Sequence, residues 1–154
     1  SPGEAAEDFI YRLYIGDPLK NPEFFREKRE LIRSSSYQRS LARRVKTMAG
    51  NSLTDGAGQL DGGDYLAARI SAALAASHVA DAGLLLAGQL CRGPKWILRR
   101  LEDAPDCGIG VDEYRSEVLD GPRPGESERS YALRVARWAQ AHLVRLEDEL
   151  LTSA

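Results

Sequence analysis

One histidine and one aspartate stand out in a segment that is otherwise rich in Ala and Leu. His78 and Asp81 are three residues apart, so they share one face of the predicted helix. A polar pair on an apolar helix costs free energy unless it is satisfied. In one interpretation the pair faces a cleft, where Asp81 orients His78 or binds a substrate amine or hydroxyl group. In the other it is an internal hydrogen-bonded pair, or Asp81 pairs with Arg92 or Arg99.

A second group of candidates lies around Gly93-Pro94, which predicts a helix start with proline at the first position. The unpaired N–H groups of a helix N-terminus favour negative charge, yet the neighbours here are basic. Such a combination can bind an anion such as phosphate. The alternative is a solvated basic surface that the following acidic residues neutralise. The basic residues are Arg92, Lys95, Arg99 and Arg100.

No catalytic or metal site is predicted. Residues 50–64 contain Gly50, Ser52, Asp61 and Asp64, which partly match the pattern of a two-metal active site. Such a site needs two carboxylates two residues apart on a strand, so that both reach the same metal pair. Asp61 and Asp64 are three apart in a Gly-rich segment without strand periodicity, so we exclude them as a catalytic centre.

The composition indicates a soluble globular protein. The chain has 154 residues and a formal net charge of −2, so no global basic field attracts nucleic acid. The basic face predicted over residues 39–46 is expected to be solvated, and no apolar run is long enough to span a membrane. Cys91 and Cys107 form neither a disulfide framework nor a zinc motif. We therefore expect a cytoplasmic protein without nucleic-acid or membrane partners.

The apolar residues follow a helical period nearly throughout. The sequence predicts an all-α bundle of five to seven helices around a long central Ala/Leu-rich helix, in one domain over residues 1–154. Residues 1–60 hold the N-terminal helices and a Gly-rich loop, 64–105 the central helix and a short Pro-Lys-Trp helix, and 111–154 the C-terminal helices. The predicted helices span residues 4–14, 22–33, 37–49, 65–90, 94–102, 111–119 and 126–150.

Three features of these predicted elements are open to a direct structural test. The Gly-rich residues 50–63 are either a loop or a loose extension of the third helix. Asp64 is the predicted N-cap of the central helix. Trp96 is expected to anchor the short helix in the core.

Several short motifs follow one another in a distinctive order. Gly63-Asp64 precedes the Ala-rich helix, Leu84-Leu85-Leu86 lie near its end, and Pro94-Lys95-Trp96-Ile97 and Ala104-Pro105 follow. This order resembles the C-terminal helical domain of bacterial nucleotidyltransferase-like proteins, which are relatives of the antibiotic nucleotidyltransferases. The upstream segment GDPLKNPEFFREKRE is similar to the entry of that domain, whereas Gln89 stands where the family has an Asn.

The resemblance implies a substrate-side domain that works beside a catalytic domain with no counterpart in this sequence. The complete protein would transfer a nucleoside monophosphate from a triphosphate to a small hydroxylated acceptor. Mg²⁺ and the triphosphate are expected only with the catalytic domain, and this chain alone binds neither tightly. Lys95, with Arg92 as second choice, would contact nucleotide phosphates, while His78 and Asp81 would face the acceptor.

Two alternatives come from other functional classes. The first is a stand-alone helical interaction or regulatory module, including a homodimer completed by the apolar central helix. The second is an all-helical enzyme that uses His78, Asp81 and Lys95 as acid–base groups, which requires all three side chains in one pocket.

Overall fold

Every regular element in the described residues is helical. The structure, a computed structural model, describes residues 2–90 and 93–152. Short turns complete it: 3₁₀ turns at Pro94–Trp96 and Pro105–Cys107, and a π-helical turn at Arg115–Leu119. The predicted all-α class is confirmed. The helices are α1 (Pro2–Ile15), α2 (Pro22–Ser34), α3 (Tyr37–Asp61), α4 (Tyr65–Leu86), α5 (Ile97–Asp103), α6 (Val111–Tyr114) and α7 (Glu128–Thr152).

Local signals start two of these helices as predicted. Asn21 adopts φ 51°, and its side chain accepts a hydrogen bond from the Phe24 N–H at 3.3 Å. Asp64 accepts one from the Ala67 N–H at 3.1 Å. Each cap satisfies a backbone donor that the first turn of a helix leaves unpaired.

The core forms where α4 packs between α3 and α7. Alanines on α4 keep the helices close, and Ala75 and Ala76 are completely buried. Gly56 of α3 lies against α4, since a Cβ placed on it would stand 3.4 Å from the Ser71 Cβ. Leu84 of α4 and Leu146 of α7 fill the far end of this core. The Ala/Leu-rich helix is therefore central, as its composition predicts.

The Gly-rich segment is not a loop. Residues 50–61 continue α3 to Asp61, so the loop in the predicted N-terminal region 1–60 is wrong, and the helical-extension alternative is correct. Glycine disfavours a helix by about 1 kcal/mol per residue relative to Ala. Packing along α4 offsets that penalty, because most helical stability in proteins comes from tertiary contacts.

The central helix ends four residues earlier than predicted. Gly88 has φ 79°, its N–H bonds to the Leu85 carbonyl, and the Gln89 N–H bonds to the Leu84 carbonyl at 2.8 Å. This pair of bonds is a Schellman motif, which terminates a helix where glycine adopts a left-handed conformation.

Trp96 is not a core anchor, because its side chain is 40 % exposed in the 3₁₀ turn that precedes α5. The predicted short helix over residues 94–102 is α-helical only from Ile97 onwards. The buried tryptophan is Trp138 on α7, whose ring packs edge-on against Tyr114 at 5.6 Å.

Candidate functional site

A pocket with a volume of about 180 Å³ lies between α1, α3 and α4. A cavity of roughly 150 Å³ is enough for a benzene-sized ring. The pocket therefore suits a small organic molecule or part of a larger one. Its lining residues are Glu7, Tyr11, Tyr37, Leu41, Arg44, Val45, Met48, His78, Asp81, Leu90 and Gly93.

Asp81 is the unusual group in this pocket. Its side chain is partly buried, and its Oδ1 is shielded from solvent and has no hydrogen-bond partner. Desolvation raises the pKa of Asp81 to about 7, because burial disfavours the charged carboxylate. An unsatisfied buried polar atom costs about 1–3 kcal/mol, and more when it is charged. A ligand that donates a hydrogen bond or carries a positive charge would recover part of that cost.

His78 lies one helical turn before Asp81 and lines the same pocket. Burial lowers the pKa of His78, so its imidazole is neutral at pH 7. A neutral imidazole offers one donor and one acceptor. No hydrogen bond joins His78 to Asp81 among the described contacts, so the predicted internal pair is not formed. The pairing of Asp81 with Arg99 is not formed either, and Arg92 lies outside the described residues.

The α1 side of the pocket carries an ion pair and aromatic rings. The Glu7 carboxylate contacts the Arg44 guanidinium at 2.7 Å and raises the pKa of Arg44. Tyr11 and Tyr37 are both partly buried and contribute aromatic surface. The pocket therefore combines apolar walls with a few polar groups, which is the usual constitution of a small-molecule site.

Two hydrogen bonds to one carbonyl position the helices around the pocket. Tyr14 of α1 donates its hydroxyl to the Gly88 oxygen at 2.6 Å, and Gln38 Nε2 of α3 donates to the same oxygen at 3.1 Å. The Gly88 carbonyl lies just beyond the end of α4, so it joins α1 and α3 to the helix that carries His78 and Asp81.

The pocket lining does not include Lys95. Lys95 is exposed, and its Nζ lies 5.3 Å from the centre of the Trp96 ring, a cation–π distance. Only a 3₁₀ turn begins at Pro94, so the predicted α-helical N-terminus is absent at that point. The structure thus brings His78 and Asp81 together without Lys95, and the three acid–base candidates do not share this pocket.

The pocket also contains residues that the sequence analysis did not select. Arg44 belongs to the basic face that was expected to be solvated, yet it pairs with Glu7 beside the pocket. Tyr11 and Tyr37 carry no local motif. Only the packing of α1 on α3 brings them together, and no spacing along the chain signals it.

Neither a metal centre nor a membrane segment is found in the described residues. No three His, Cys, Asp or Glu side chains there are grouped to hold an ion. The helices described are each too short or too polar to cross a bilayer.

Comparison with known proteins adds no family assignment. No protein-family model matches this sequence. No curated protein and no solved structure matches it either. The function is therefore inferred from the pocket and from the chemistry of its side chains.

Proposed function

We propose that this domain binds a small hydroxylated molecule beside Asp81, as the substrate-side half of a nucleotidyltransferase-like protein. The observation that supports binding is the Asp81 Oδ1, which is shielded from solvent and unpartnered in a pocket of about 180 Å³. The nucleotidyl-transfer part of the proposal rests on the order of sequence motifs around Asp64 and Pro94.

The pocket defines the chemistry of the ligand. A hydroxyl or amine group donates a hydrogen bond to Asp81, and the neutral His78 accepts or donates a second one. The ring or carbon skeleton packs against Tyr11, Tyr37 and Met48. Binding relieves the desolvation penalty of the unsatisfied Oδ1, which makes the hydrogen bond to Asp81 worth more than one to an exposed carboxylate.

The nucleotide is assigned to another part of the complete protein. Paired carboxylates on a catalytic domain would hold Mg²⁺ and the triphosphate, and the acceptor hydroxyl would attack in line and release pyrophosphate. In this proposal Lys95 contacts phosphate oxygens from outside the acceptor pocket. Its exposed side chain is available for such a contact when the cation–π contact with Trp96 is given up.

Acceptor binding can be tested by thermal-shift and calorimetric titration with three polyhydroxylated ring compounds: glucose, glucosamine and myo-inositol. At least one should raise the melting temperature of the parent chain. Asp81→Asn should abolish that shift, whereas Asp106→Asn, which changes an exposed aspartate elsewhere, should preserve it. Equal binding by the parent and Asp81→Asn would exclude the role of Asp81.

The phosphate role of Lys95 is tested by titration with MgATP and MgGTP in the complete protein. Lys95→Ala should weaken nucleotide binding about tenfold and lower the melting temperature only slightly, because the Trp96 contact that it loses is exposed. Arg99→Ala, a matched exposed cation on α5, should leave the affinity unchanged. Equal affinity in the parent and Lys95→Ala would remove Lys95 from the nucleotide site.

A further inference from the structure

The mouth of the Asp81 pocket carries a guanidinium group that the proposed function does not use. Arg44 of α3 lines the pocket, and its side chain is 57 % exposed. On the inner side of the pocket, the Asp81 Oδ1 is shielded from solvent. Leu41 and Val45 lie one turn apart on α3 and contribute apolar surface to the same pocket. The pocket therefore has a hydrogen-bond acceptor inside, apolar walls and a cation at its mouth.

Arg44 and Asp81 lie at nearly the same level along the bundle. A short turn joins α3 to α4, and the two helices pack along each other, so they are antiparallel. Gly56 of α3 lies against Ser71 of α4. Counting equally far from the turn along both helices brings Arg44 opposite Gly83, two residues from Asp81. Two residues rise about 3 Å along a helix, so one small molecule in this pocket can contact both side chains.

A carboxylate of the chain itself pairs with the Arg44 guanidinium. Glu7 of α1 also lines the pocket, and its Oε1 lies 2.7 Å from Arg44 Nη1. A guanidinium has five N–H donors and pairs with carboxylate or phosphate groups in a planar, bidentate geometry. The position of the Glu7 carboxylate therefore suits an acidic group in both charge and hydrogen bonding. A partly exposed ion pair contributes little to stability, so an acid from outside the chain can replace Glu7 at low cost.

The attachment of α1 does not depend on this ion pair. Two hydrogen bonds hold the C-terminal end of α1. The Tyr14 hydroxyl donates to the Gly88 carbonyl at 2.6 Å, and Arg29 Nε donates to the Leu13 carbonyl at 3.2 Å. Glu7 lies about two turns before Tyr14 on the same helix. Displacement of the Glu7 side chain therefore leaves both of these bonds in place.

We propose that the hydroxylated ligand of this pocket also carries an acidic group, which replaces Glu7 on the Arg44 guanidinium. The inference rests on the proposed function, because it assigns the second end of the same ligand. The hydroxyl end contacts Asp81, and the carboxylate or phosphate end pairs with Arg44. The acid takes over a position that already holds a carboxylate, because Glu7 moves out as the acid moves in. Desolvation raises the pKa of Asp81 to about 7, so its carboxyl group is partly protonated at neutral pH and repels the acid less than a full charge would.

Matched sugars test the preference for an acid. Glucose and glucuronate share one ring and differ at C6, where glucose has a CH₂OH group and glucuronate has a carboxylate. Glucose 6-phosphate carries a phosphate at the same carbon. In calorimetric titration of the parent at low salt, glucuronate or glucose 6-phosphate should bind about tenfold tighter than glucose. The tighter of the two anions identifies the acidic group as a carboxylate or as a phosphate.

Two substitutions test the roles of Arg44 and Glu7. Arg44→Gln should reduce the affinity for the acid to that for glucose, because the charged bidentate donor is lost. Arg43→Gln changes the neighbouring exposed arginine, which does not line this pocket, and should retain the preference. Glu7→Gln removes the competing carboxylate and should raise the affinity for the acid about threefold, with a smaller effect on glucose. Circular dichroism checks that each variant keeps the helix content of the parent.

The results separate this inference from the function on which it rests. A purely structural Glu7–Arg44 pair would make each substitution change the binding of all three sugars equally, which would overturn the proposal. Glucose binding that is lost in Asp81→Asn, with equal or weaker binding of both acids, would overturn the acidic ligand and leave the proposed function intact. No binding of glucose or of either acid would overturn it as well, and the titrations with glucosamine and myo-inositol would then decide the proposed function separately.

Discussion

The carboxylate of Glu126, just before α7, and that of Asp81, in the pocket, differ in their hydrogen bonds, and their pKa values are shifted in opposite directions. At the start of α7, Glu126 accepts hydrogen bonds from Arg134 Nε at 3.0 Å and Nη2 at 2.9 Å, and from the Arg123 N–H at 2.8 Å. These bonds, chiefly the one from the Arg134 side chain, lower the pKa of Glu126 to about 2. In the pocket, the Oδ1 of Asp81 has no partner, and desolvation raises the pKa of Asp81 to about 7.

The surroundings of Arg134 show what a structural polar network looks like in this chain. Besides Glu126, the guanidinium donates to the Glu117 carboxylate at 3.0 Å and to the Glu117 and Gly121 carbonyls at 2.8 Å and 3.1 Å. The network ties the start of α7 to the π-helical turn and to the loop after it. Each partner satisfies another, so the network stabilises the fold.

Asp81 makes no such contribution. A buried carboxylate oxygen without a hydrogen-bond partner, such as the Asp81 Oδ1, lowers stability, and folds usually avoid it. Perturbed and unsatisfied groups of this kind concentrate at functional sites, where the ligand supplies the missing partner. The contrast with Glu126 therefore favours a binding role for Asp81 over a structural one, and the following substitutions test that contrast.

The largest effect is expected at the paired site. Arg134→Met removes a hydrogen-bond donor from two carboxylates and three backbone carbonyls, and should lower the free energy of unfolding by about 3 kcal/mol. Urea denaturation measures this. Arg99→Met, at an exposed position on α5, should change it by less than about 0.5 kcal/mol. Equal effects of the two substitutions would mean that the network around Arg134 does not stabilise the fold.

Substitution of Asp81 should change the free energy of unfolding in the opposite direction. Asp81→Asn removes a charge that is costly to bury and should raise the free energy of unfolding at pH 8 by about 2 kcal/mol. Asp106→Asn, at an exposed aspartate, is the control and should have little effect. Destabilisation by Asp81→Asn would show that the carboxylate has a partner in the folded chain. It would contradict the inference that Asp81 lacks a partner until a ligand binds.

The difference in stability between the parent and Asp81→Asn should depend on pH. The pKa of Asp81 is about 7 in the folded chain, against about 3.9 when unfolded. Well below pH 4, at about pH 2, Asp81 is protonated in both states, so the stability difference between Asp81→Asn and the parent should then be smallest. Between about pH 4 and 7 the unfolded chain loses its proton first, and the stability of the parent should fall relative to Asp81→Asn. A difference independent of pH would contradict the assignment of this carboxylate.

Substitution of Glu126 should have a smaller effect on stability than substitution of Asp81, and at a more acidic pH. Its pKa is lowered to about 2 in the folded chain, so its stabilisation is present above about pH 4.5 and is lost as the pH falls toward 2. Glu126→Gln should therefore flatten the acid side of the stability profile. The control is Glu102→Gln on the exposed surface of α5, which should retain the slope of the parent.

Local chemistry explains what could be predicted from the sequence. The Asn21 and Asp64 caps and the Ala-rich period of α4 depend on neighbours within four residues, and they follow from residue type and spacing. His78 and Asp81 are three residues apart on one helix, so their shared face is predictable too. That face is then completed by Tyr11 and Arg44, which reach it only through the packing of α1 on α3.

The errors have the same physical origin. Residues 50–61 contain glycines that locally favour a loop. They are nevertheless helical, because packing against α4 stabilises the helix. The sequence predicts Trp96 as a core anchor, but the 3₁₀ turn leaves it 40 % exposed, and Trp138 is the tryptophan buried in the core. The exposure of Leu66, Ile70 and Leu74 to solvent could not be predicted either, since a helix that is apolar all round is expected to be surrounded by other helices.

The smallest effect on stability is expected at Lys95, which belongs neither to the network around Arg134 nor to the lining of the Asp81 pocket. Its Nζ lies 5.3 Å from the Trp96 ring in an exposed turn, and exposed cation–π contacts contribute about 0.5–1 kcal/mol. Lys95→Ala should therefore lower the free energy of unfolding by no more than that, as measured by urea denaturation beside Arg99→Ala. A loss comparable with that of Arg134→Met would make Lys95 a structural residue. A small loss leaves the ammonium free to leave the ring for a phosphate, as the proposed nucleotide contact requires.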